Sequence, residues 1–139
     1  MEFYSLDAFG AERQEGLVTS KNATIISFLD ENASDLAEKV LDDGGLVVFG
    51  TESSYGIAAR IDRPKALGRL SSLKCRPSHS PFALIAANQG RVREFCEFPE
   101  PLDSLAKEWW PGALTLALQP KLELHEALLS ESNTVGIRV

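Results

Sequence analysis

The chain has 139 residues, of which 14 are Lys or Arg and 20 are Asp or Glu, so its formal net charge is −6. Its content of 44% hydrophobic and 24% charged residues is typical of one soluble globular domain. The longest apolar run, residues 82–87, is too short to span a bilayer, and the acidic balance argues against a wholly basic nucleic-acid-binding surface. These features exclude a membrane protein, a secreted mini-protein and a basic DNA-binding protein.

Neither the cysteines nor the histidines form a recognisable metal or disulfide pattern. Cys75 and Cys96 are too few for a disulfide framework and lack the spacing of metal ligands. His79 and His125 have no Cys or carboxylate partners at such a spacing. Thiols of this kind suit a reducing compartment, and the acidic N-terminus does not resemble a signal peptide. We therefore predict a cytoplasmic protein without a structural metal site.

Helices and strands alternate after a weakly patterned, polar lead-in at residues 1–23. The predicted helices cover residues 33–43, residues 64 to about 76, a segment that begins at Pro101, and one turn at 125–129. The predicted strands cover residues 45–49, 57–61, 82–87, 113–118 and 134–139. This order predicts an α/β domain over residues 24–139 with a mostly buried sheet. Because the sequence stops within its last strand, we expect the domain to be incomplete at its C-terminus.

The first candidate site segment is the loop that follows the apolar strand at residues 45–49. It carries Thr51, Glu52, Ser53, Ser54 and Tyr55, and hydroxyl groups at the end of a buried strand are common in α/β ligand sites. The alternative is an ordinary polar turn between two strands, since Gly and Ser occur in turns of every kind.

The second candidate is the basic segment Lys74, Cys75, Arg76 and Pro77. In an extended conformation, Lys74 and Arg76 lie on the same side, where an ammonium and a guanidinium suit a polyphosphate. The alternative is a solvated helix C-terminus, where positive charge favours the helix dipole.

The third candidate is the rare run Trp109, Trp110, Pro111 and Gly112, which predicts an abrupt change from helix to strand. Indole rings bury a large area and Pro-Gly makes a turn, so its role is mostly architectural. Thr115, three residues later, is a possible ligand contact.

Taken in order, these segments resemble the YrdC-like family, the threonylcarbamoyl-AMP synthases. The family pattern has Gly-Gly, an apolar run and Thr-Glu/Asp-Thr-Val-Tyr-Gly, followed by Lys-x-Arg-Pro and Trp-Pro-Gly-Pro-Leu-Thr. Residues 85–88, Ile-Ala-Ala-Asn, match the short bacterial members, and residues 135–139 resemble the strand that ends in an apolar-Val-Arg-apolar sequence. The resemblance extends from about residue 24 to residue 139. It implies the YrdC-like fold, a twisted and mostly buried mixed sheet with flanking helices and a concave ligand site.

The resemblance also implies an activity. Family members combine L-threonine, bicarbonate and ATP into threonylcarbamoyl-AMP and pyrophosphate, with Mg²⁺ on the phosphates, and partner proteins pass the product to tRNA. By this resemblance Lys74 and Arg76 hold the ATP phosphates and serve as the catalytic cations. Thr51, Tyr55 and Arg138 belong to the substrate site, with Arg138 at the carboxylate, and Ser80 and Thr115 lie near the nucleotide. Fixed cations and hydroxyls stabilise the negative charge that such a reaction develops.

Several positions depart from the family pattern. Gly50 and Ser54 stand where Pro and Val are usual, and Ala113 stands where the family has Pro after Trp-Pro-Gly. The family also has a later Ser-x-Asn motif, and the sequence ends at Val139, before the position of that motif. One alternative is a carbamoyl-adenylate-forming domain like those in hydrogenase-maturation carbamoyltransferases, although these carry Cys-x-x-Cys pairs that this chain lacks. Another is a non-catalytic remnant that binds a nucleotide or, weakly, double-stranded RNA, although the net charge of −6 disfavours RNA.

Overall fold

The structure is a computed structural model and describes residues 2–6, 23–51, 54–75 and 80–139. The strands are β1 (Glu2–Leu6), β2 (Ala23–Ser27), β3 (Val47–Gly50), β4 (Tyr55–Ala58), β5 (Leu84–Ile85), β6 (Leu116–Leu118) and β7 (Val135–Arg138). The α-helices are α1 (Ala33–Asp42), α2 (Pro64–Lys74), α3 (Gln89–Phe95) and α4 (Glu100–Trp109), and a 3-10 turn covers Glu126–Leu128. These elements confirm the predicted α/β class. Within the described ranges, no helix is long and apolar enough to cross a membrane.

The chain divides into two compact units, Met1–Lys74 and Cys75–Val139, referred to below as the N-terminal and C-terminal units. The N-terminal unit contains a four-stranded sheet in the order β2-β1-β3-β4, and every neighbouring pair is antiparallel. β1 lies inside the segment predicted as a polar lead-in. It has no clear apolar pattern, so its strand conformation follows from pairing with β2 and β3, which a local pattern does not show.

The two helices of the N-terminal unit begin and end near the predicted residues. Gly44 adopts a φ of +78°, and its N–H donates to the carbonyl of Leu41 at 3.0 Å, as expected where α1 ends. Asn32, directly before α1, is a residue type that predicts a side-chain cap, but its side chain accepts no capping hydrogen bond, and its backbone N–H donates to Asp30. α2 begins at Pro64, whose missing N–H is not needed in a first helical turn. The buried residues of this unit include Ala33, Leu46, Val47, Ala66, Leu67 and Leu70.

The C-terminal unit contains a three-stranded mixed sheet in the order β5-β7-β6, in which β7 is parallel to β5 and antiparallel to β6. One face of this sheet is buried and carries Leu84, Leu116, Leu118, Val135 and Ile137. The predicted mixed pairing therefore occurs in this unit, whereas the N-terminal sheet is antiparallel throughout the described strands.

Two predictions for the C-terminal unit differ from the structure. The strand predicted over residues 82–87 is only Leu84–Ile85, and Ile85 is 74% exposed, so the strand is buried on one face only. α3 has no counterpart among the predicted helices. The Asn88 side chain accepts a hydrogen bond from the N–H of Arg91 at 3.0 Å and caps that helix, and Val92 is its buried residue. This short helix has too few apolar residues to give a periodic signal.

In the sequence of α4, the apolar residues Leu102, Leu105, Ala106 and Trp109 predict a buried stripe, which the structure shows only in part. Ala106 is buried, but Leu105 and Trp109 are 42% and 55% exposed. Asp103 is buried instead, where it accepts a hydrogen bond from Gln89 at 3.1 Å and pairs with Arg93 and Lys107. These partners satisfy the carboxylate, which is why a charged residue can face inward here.

Candidate functional site

In the N-terminal unit, two of the predicted substrate-binding residues flank the turn between β3 and β4. The Thr51 hydroxyl donates to the carbonyl of Ser54 at 2.8 Å and accepts from the N–H of Ser54 at 3.1 Å. The Thr51 backbone N–H also donates to the Ser54 carbonyl, at 2.7 Å. Tyr55 follows as the first residue of β4, and its side chain is 64% exposed. Thr51 therefore stabilises this turn itself and keeps one lone pair of its hydroxyl for a ligand.

Lys74 is the last residue of α2 and is exposed. Its ammonium forms no ion pair with any residue that the structure describes. Arg76, its predicted companion at the phosphates, lies outside the described residues. The phosphate-binding role of Lys74 and Arg76 stays a prediction.

In the C-terminal unit, the sheet brings Thr115 and Arg138 to one face. Leu116 pairs with Ile137, and both of these side chains are buried. Thr115 precedes Leu116 and Arg138 follows Ile137, so the alternation of a strand places both exposed side chains on the opposite face, at the same end of the β6-β7 pair.

The face that carries Thr115 and Arg138 also carries residues with small side chains. A Cβ atom added at Gly136 would lie 3.5 Å from the Cγ2 of Thr115 and 3.9 Å from the Cβ of Ala83. Ala117, which is opposite Gly136 in the pairing, is exposed. A guanidinium and a hydroxyl side by side on this face can bind a small ligand that carries an anionic group.

The Arg138 side chain is anchored by the turn between α4 and β6. Its Nε–H donates to the carbonyl oxygen of Gly112 at 2.8 Å. The N–H of Gly112 donates in return to the carbonyl of Val139, also at 2.8 Å. The end of β7 is thus attached to this turn by two hydrogen bonds, one from a side chain and one from the backbone.

Ser80 precedes β5 and is exposed. The structure shows no hydrogen bond between Ser80 and either Thr115 or Arg138 among the residues it describes. Its predicted place near the nucleotide stays a prediction.

The ionisable groups whose pKa values are shifted are not among these residues. Hydrogen bonds from the Arg60 guanidinium hold the pKa of Asp62 below its usual range, and Asp62 in turn raises the pKa of Arg60. In the C-terminal unit, burial raises the pKa of the Cys96 thiol. None of the three is among the predicted site residues, so these pKa shifts report local structure.

A cavity of about 750 Å³ lies in the N-terminal unit where α1 ends and α2 begins. Its lining includes Gly44, Arg63 and Arg69, and none of the predicted site residues. Arg63 donates to the carbonyl of Asp42 at 3.1 Å, and Arg69 donates to the carbonyl of Gly44, so both guanidinium groups bind carbonyls at the end of α1. Among the described residues, no cluster of three His, Cys, Asp or Glu side chains could hold a metal ion.

Gly112 is a residue of this site that the sequence pattern does not assign to it. The Trp-Pro-Gly run predicts an architectural role, and the structure confirms that role, because Trp110 is buried and donates from Nε1 to the carbonyl of Leu114 at 2.7 Å. The rarity of the tripeptide was the available signal. The contact with Arg138, however, joins residues 26 positions apart, and no local pattern indicates it.

Residues 39–139 match the sequence model of the Sua5–YciO–YrdC family, whose description is "Telomere recombination". That match covers most of the chain. The chain belongs to this family. The expected YrdC-like family and fold are therefore confirmed.

Relatives with established names agree with this assignment. The chain is 31% identical over 107 residues to a threonylcarbamoyl-AMP synthase of Chromobacterium violaceum, a match that covers 74% of this chain and 54% of that protein. It is 34% identical over 106 residues to a threonylcarbamoyl-AMP synthase of Pyrococcus abyssi, covering 75% of this chain and 31% of that protein. The matched region thus spans about half or less of the length of these two relatives.

A solved structure shows the same fold. The crystal structure of Pyrococcus abyssi Sua5 complexed with L-threonine matches with a TM-score of 0.68 and 31% identity, covering 75% of this chain and 31% of that one. Two relatives of this Sua5–YciO–YrdC member are thus named threonylcarbamoyl-AMP synthase, and one related Sua5 structure is complexed with L-threonine.

Proposed function

We propose that this chain takes part in the synthesis of threonylcarbamoyl-AMP from L-threonine, bicarbonate and ATP. The observation that carries the proposal is the placement of Thr115 and Arg138 on one exposed sheet face in a member of the Sua5–YciO–YrdC family. The names of the relatives and the L-threonine complex of Pyrococcus abyssi Sua5 support the same reaction.

The proposed reaction has two bond-forming steps. The amine of L-threonine forms a C–N bond with the carbon of bicarbonate, and water leaves, which gives an N-carboxylate. An oxygen of that carboxylate then attacks the α-phosphorus of ATP, and pyrophosphate leaves. Both steps concentrate negative charge, so fixed cations and hydroxyl donors lower the barrier more than mobile water does.

Each predicted site residue has a role in this proposal. Arg138 of the C-terminal unit binds the carboxylate of L-threonine, and Thr51 and Tyr55 of the N-terminal unit are assigned to substrate binding. Lys74 and Arg76 bind the ATP phosphates and stabilise the leaving pyrophosphate, and Ser80 and Thr115 lie beside the nucleotide. An ammonium and a guanidinium are the side chains best suited to phosphate oxygens.

Mg²⁺ has a limited place in this proposal. The described residues offer no cluster of acidic side chains for a protein-built metal site. In this proposal Mg²⁺ enters with the ATP phosphates and keeps most of its own water ligands, as is usual for this ion. The product belongs to tRNA modification in the cytoplasm, where partner proteins transfer the threonylcarbamoyl group.

The test is an assay with [¹⁴C]bicarbonate, L-threonine, ATP and Mg²⁺ that follows formation of labelled threonylcarbamoyl-AMP and release of pyrophosphate. We expect product with the wild-type chain, and about a tenfold or greater loss with Lys74→Ala, since a hydrogen bond to a charged group is removed. Lys65→Ala is the matched control, because Lys65 is an exposed lysine at the other end of α2.

The outcomes separate the proposal from its main alternative. If the wild-type chain binds ATP but forms no product with any amino acid, the catalytic proposal is overturned in favour of a nucleotide-binding remnant. Binding of double-stranded RNA without ATP binding would also overturn it. Equal activity of Lys74→Ala and Lys65→Ala would remove Lys74 from the phosphate site.

A further inference from the structure

We propose that the carbonyl oxygen of Gly112 is a positioning group for Arg138. In this arrangement it fixes the guanidinium so that the terminal Nη1–Nη2 edge, and not the Nε edge, receives the substrate carboxylate. The inference rests on the proposed function, since the carboxylate is that of L-threonine. It goes beyond that function by naming a backbone group that determines how the substrate binds.

The first support is the pair of hydrogen bonds between the turn and the end of β7. Arg138 donates from Nε to the Gly112 carbonyl at 2.8 Å, and Gly112 donates from its N–H to Val139 at 2.8 Å. A shift of Gly112 would therefore change the side chain of Arg138 and the backbone of Val139 together.

The second support is the geometry of the guanidinium group. Its five N–H groups lie in one plane, and a carboxylate can bind two of them along the Nε–Nη edge or along the Nη1–Nη2 edge. The bond from Nε to Gly112 occupies the first edge. Within the described part of the chain, no acidic side chain pairs with Arg138, and its side chain is exposed. The second edge is thus left for a ligand.

The third support is the fixed position of the turn itself. Trp110 is buried, packs edge to face on Phe98 with ring centroids 6.0 Å apart, and donates from Nε1 to Leu114 at 2.7 Å. A Cβ atom added at Gly112 would lie 2.5 Å from the carbonyl oxygen of Trp109, which is far closer than a real contact. Any side chain at position 112 must therefore displace the turn, and with it the carbonyl that Arg138 uses.

The experiment is a double-mutant cycle in the full chain with Gly112→Ala, Arg138→Lys and the double variant, in which L-threonine and ATP affinities are measured separately by calorimetry. We expect Gly112→Ala to raise the Kd for L-threonine by about tenfold, since a charge-assisted hydrogen bond to a positioned cation is lost. Its Kd for ATP should change by less than about twofold, whereas general damage would weaken both ligands. The double variant should bind L-threonine no more weakly than Arg138→Lys alone, because both changes act through one guanidinium.

A second measurement keeps the inference testable even if Gly112→Ala folds poorly. In wild-type protein, the NMR signal of the Arg138 Nε–H should exchange slowly with water because it is hydrogen-bonded to Gly112. Rapid exchange of this proton in the wild type would overturn the inference. So would unchanged L-threonine affinity in Gly112→Ala, or additive losses in the double variant.

Failure of the proposed function gives a different result. A wild-type chain that shows the slowly exchanging Nε–H but binds no L-threonine would overturn the proposed function, and the Gly112 contact would then only anchor β7. Val92→Ala is the structural control, because Val92 is buried in α3 and absent from the hydrogen bonds that hold Arg138. We expect it to lower the melting temperature without changing L-threonine affinity.

Discussion

The indole Nε1–H of Trp110 donates to the carbonyl oxygen of Leu114 at 2.7 Å, across the turn that joins α4 to β6. The backbone N–H of Trp110 also donates to the Ala106 carbonyl at 2.9 Å, in the last turn of α4. One buried residue thus attaches the helix end to the chain that enters the next strand. The same turn contains the Gly112 carbonyl that binds the Arg138 side chain. Trp110 therefore supports both the stability of the fold and the geometry of the candidate site.

We predict that Trp110→Phe lowers the free energy of unfolding by about 1–3 kcal/mol, because the Leu114 carbonyl loses its donor in a partly buried position. The measurement is urea denaturation followed by circular dichroism. Trp109→Phe is the matched control, since the Trp109 side chain is 55% exposed and should contribute little. Equal effects of the two substitutions would contradict the structural role of the Trp110 bond.

A second prediction concerns Asp103, which is buried and accepts hydrogen bonds or ion pairs from Gln89, Arg93 and Lys107. Asp103→Asn should lower the free energy of unfolding by about 1–3 kcal/mol, because two cations lose their shared counter-charge while the volume is kept. Glu94→Gln, at the exposed Arg91–Glu94 pair, should cost less than about 1 kcal/mol. The network would have no structural role if Asp103→Asn unfolded at the same urea concentration as the wild type.

Elements with strong local signals could be predicted from the sequence. α1 and α2 carry apolar residues at helical spacing, with Gly44 at the end of the first and Pro64 at the start of the second. β1 and α3 could not be predicted in this way. β1 is specified by pairing with β2 and β3, and α3 depends on the Asn88 cap more than on an apolar stripe.

The resemblance names the candidate site residues, and their roles stay predictions. Thr115 and Arg138 were expected from the resemblance, and the pairing of Leu116 with Ile137 places them on one sheet face. The hydrogen bond from Arg138 to Gly112 could not be predicted, because it depends on how the turn before β6 meets the end of β7. Residues that are distant in the sequence meet only once the sheet has formed.

A third prediction concerns the pH dependence of an exposed ion pair. Arg60 donates two hydrogen bonds to Asp62, at 2.9 and 3.0 Å, and these lower the pKa of Asp62. A carboxyl whose pKa is lower in the folded chain stabilises the fold above its unfolded pKa of about 3.9, and this contribution is lost as the pH falls through the lower folded value.

Asp62→Asn should therefore be slightly less stable than the wild type at pH 7, and the two should converge as the pH falls below about 4. The measurement is thermal unfolding from pH 7 to acid at low ionic strength. Because the pair is exposed, the difference at pH 7 should also shrink in about 1 M NaCl, where the screening length is about 3 Å. A difference that grew on acidification would contradict the sign of the pKa shift.

The last prediction uses the two thiols to test the phosphate site proposed at Lys74. Cys75 is exposed and follows Lys74 directly, whereas Cys96 is buried and its pKa is raised by burial. Since alkylation needs an accessible thiolate, iodoacetamide should modify Cys75 much faster than Cys96, as measured by peptide mass spectrometry.

If ATP phosphates bind beside Cys75, saturating ATP should slow its alkylation several-fold, while adenosine, which lacks phosphates, should not. Lys74→Ala should abolish the protection, and Lys65→Ala should retain it. An alkylation rate of Cys75 that is unchanged by ATP, in a chain shown by calorimetry to bind ATP, would place the phosphates elsewhere.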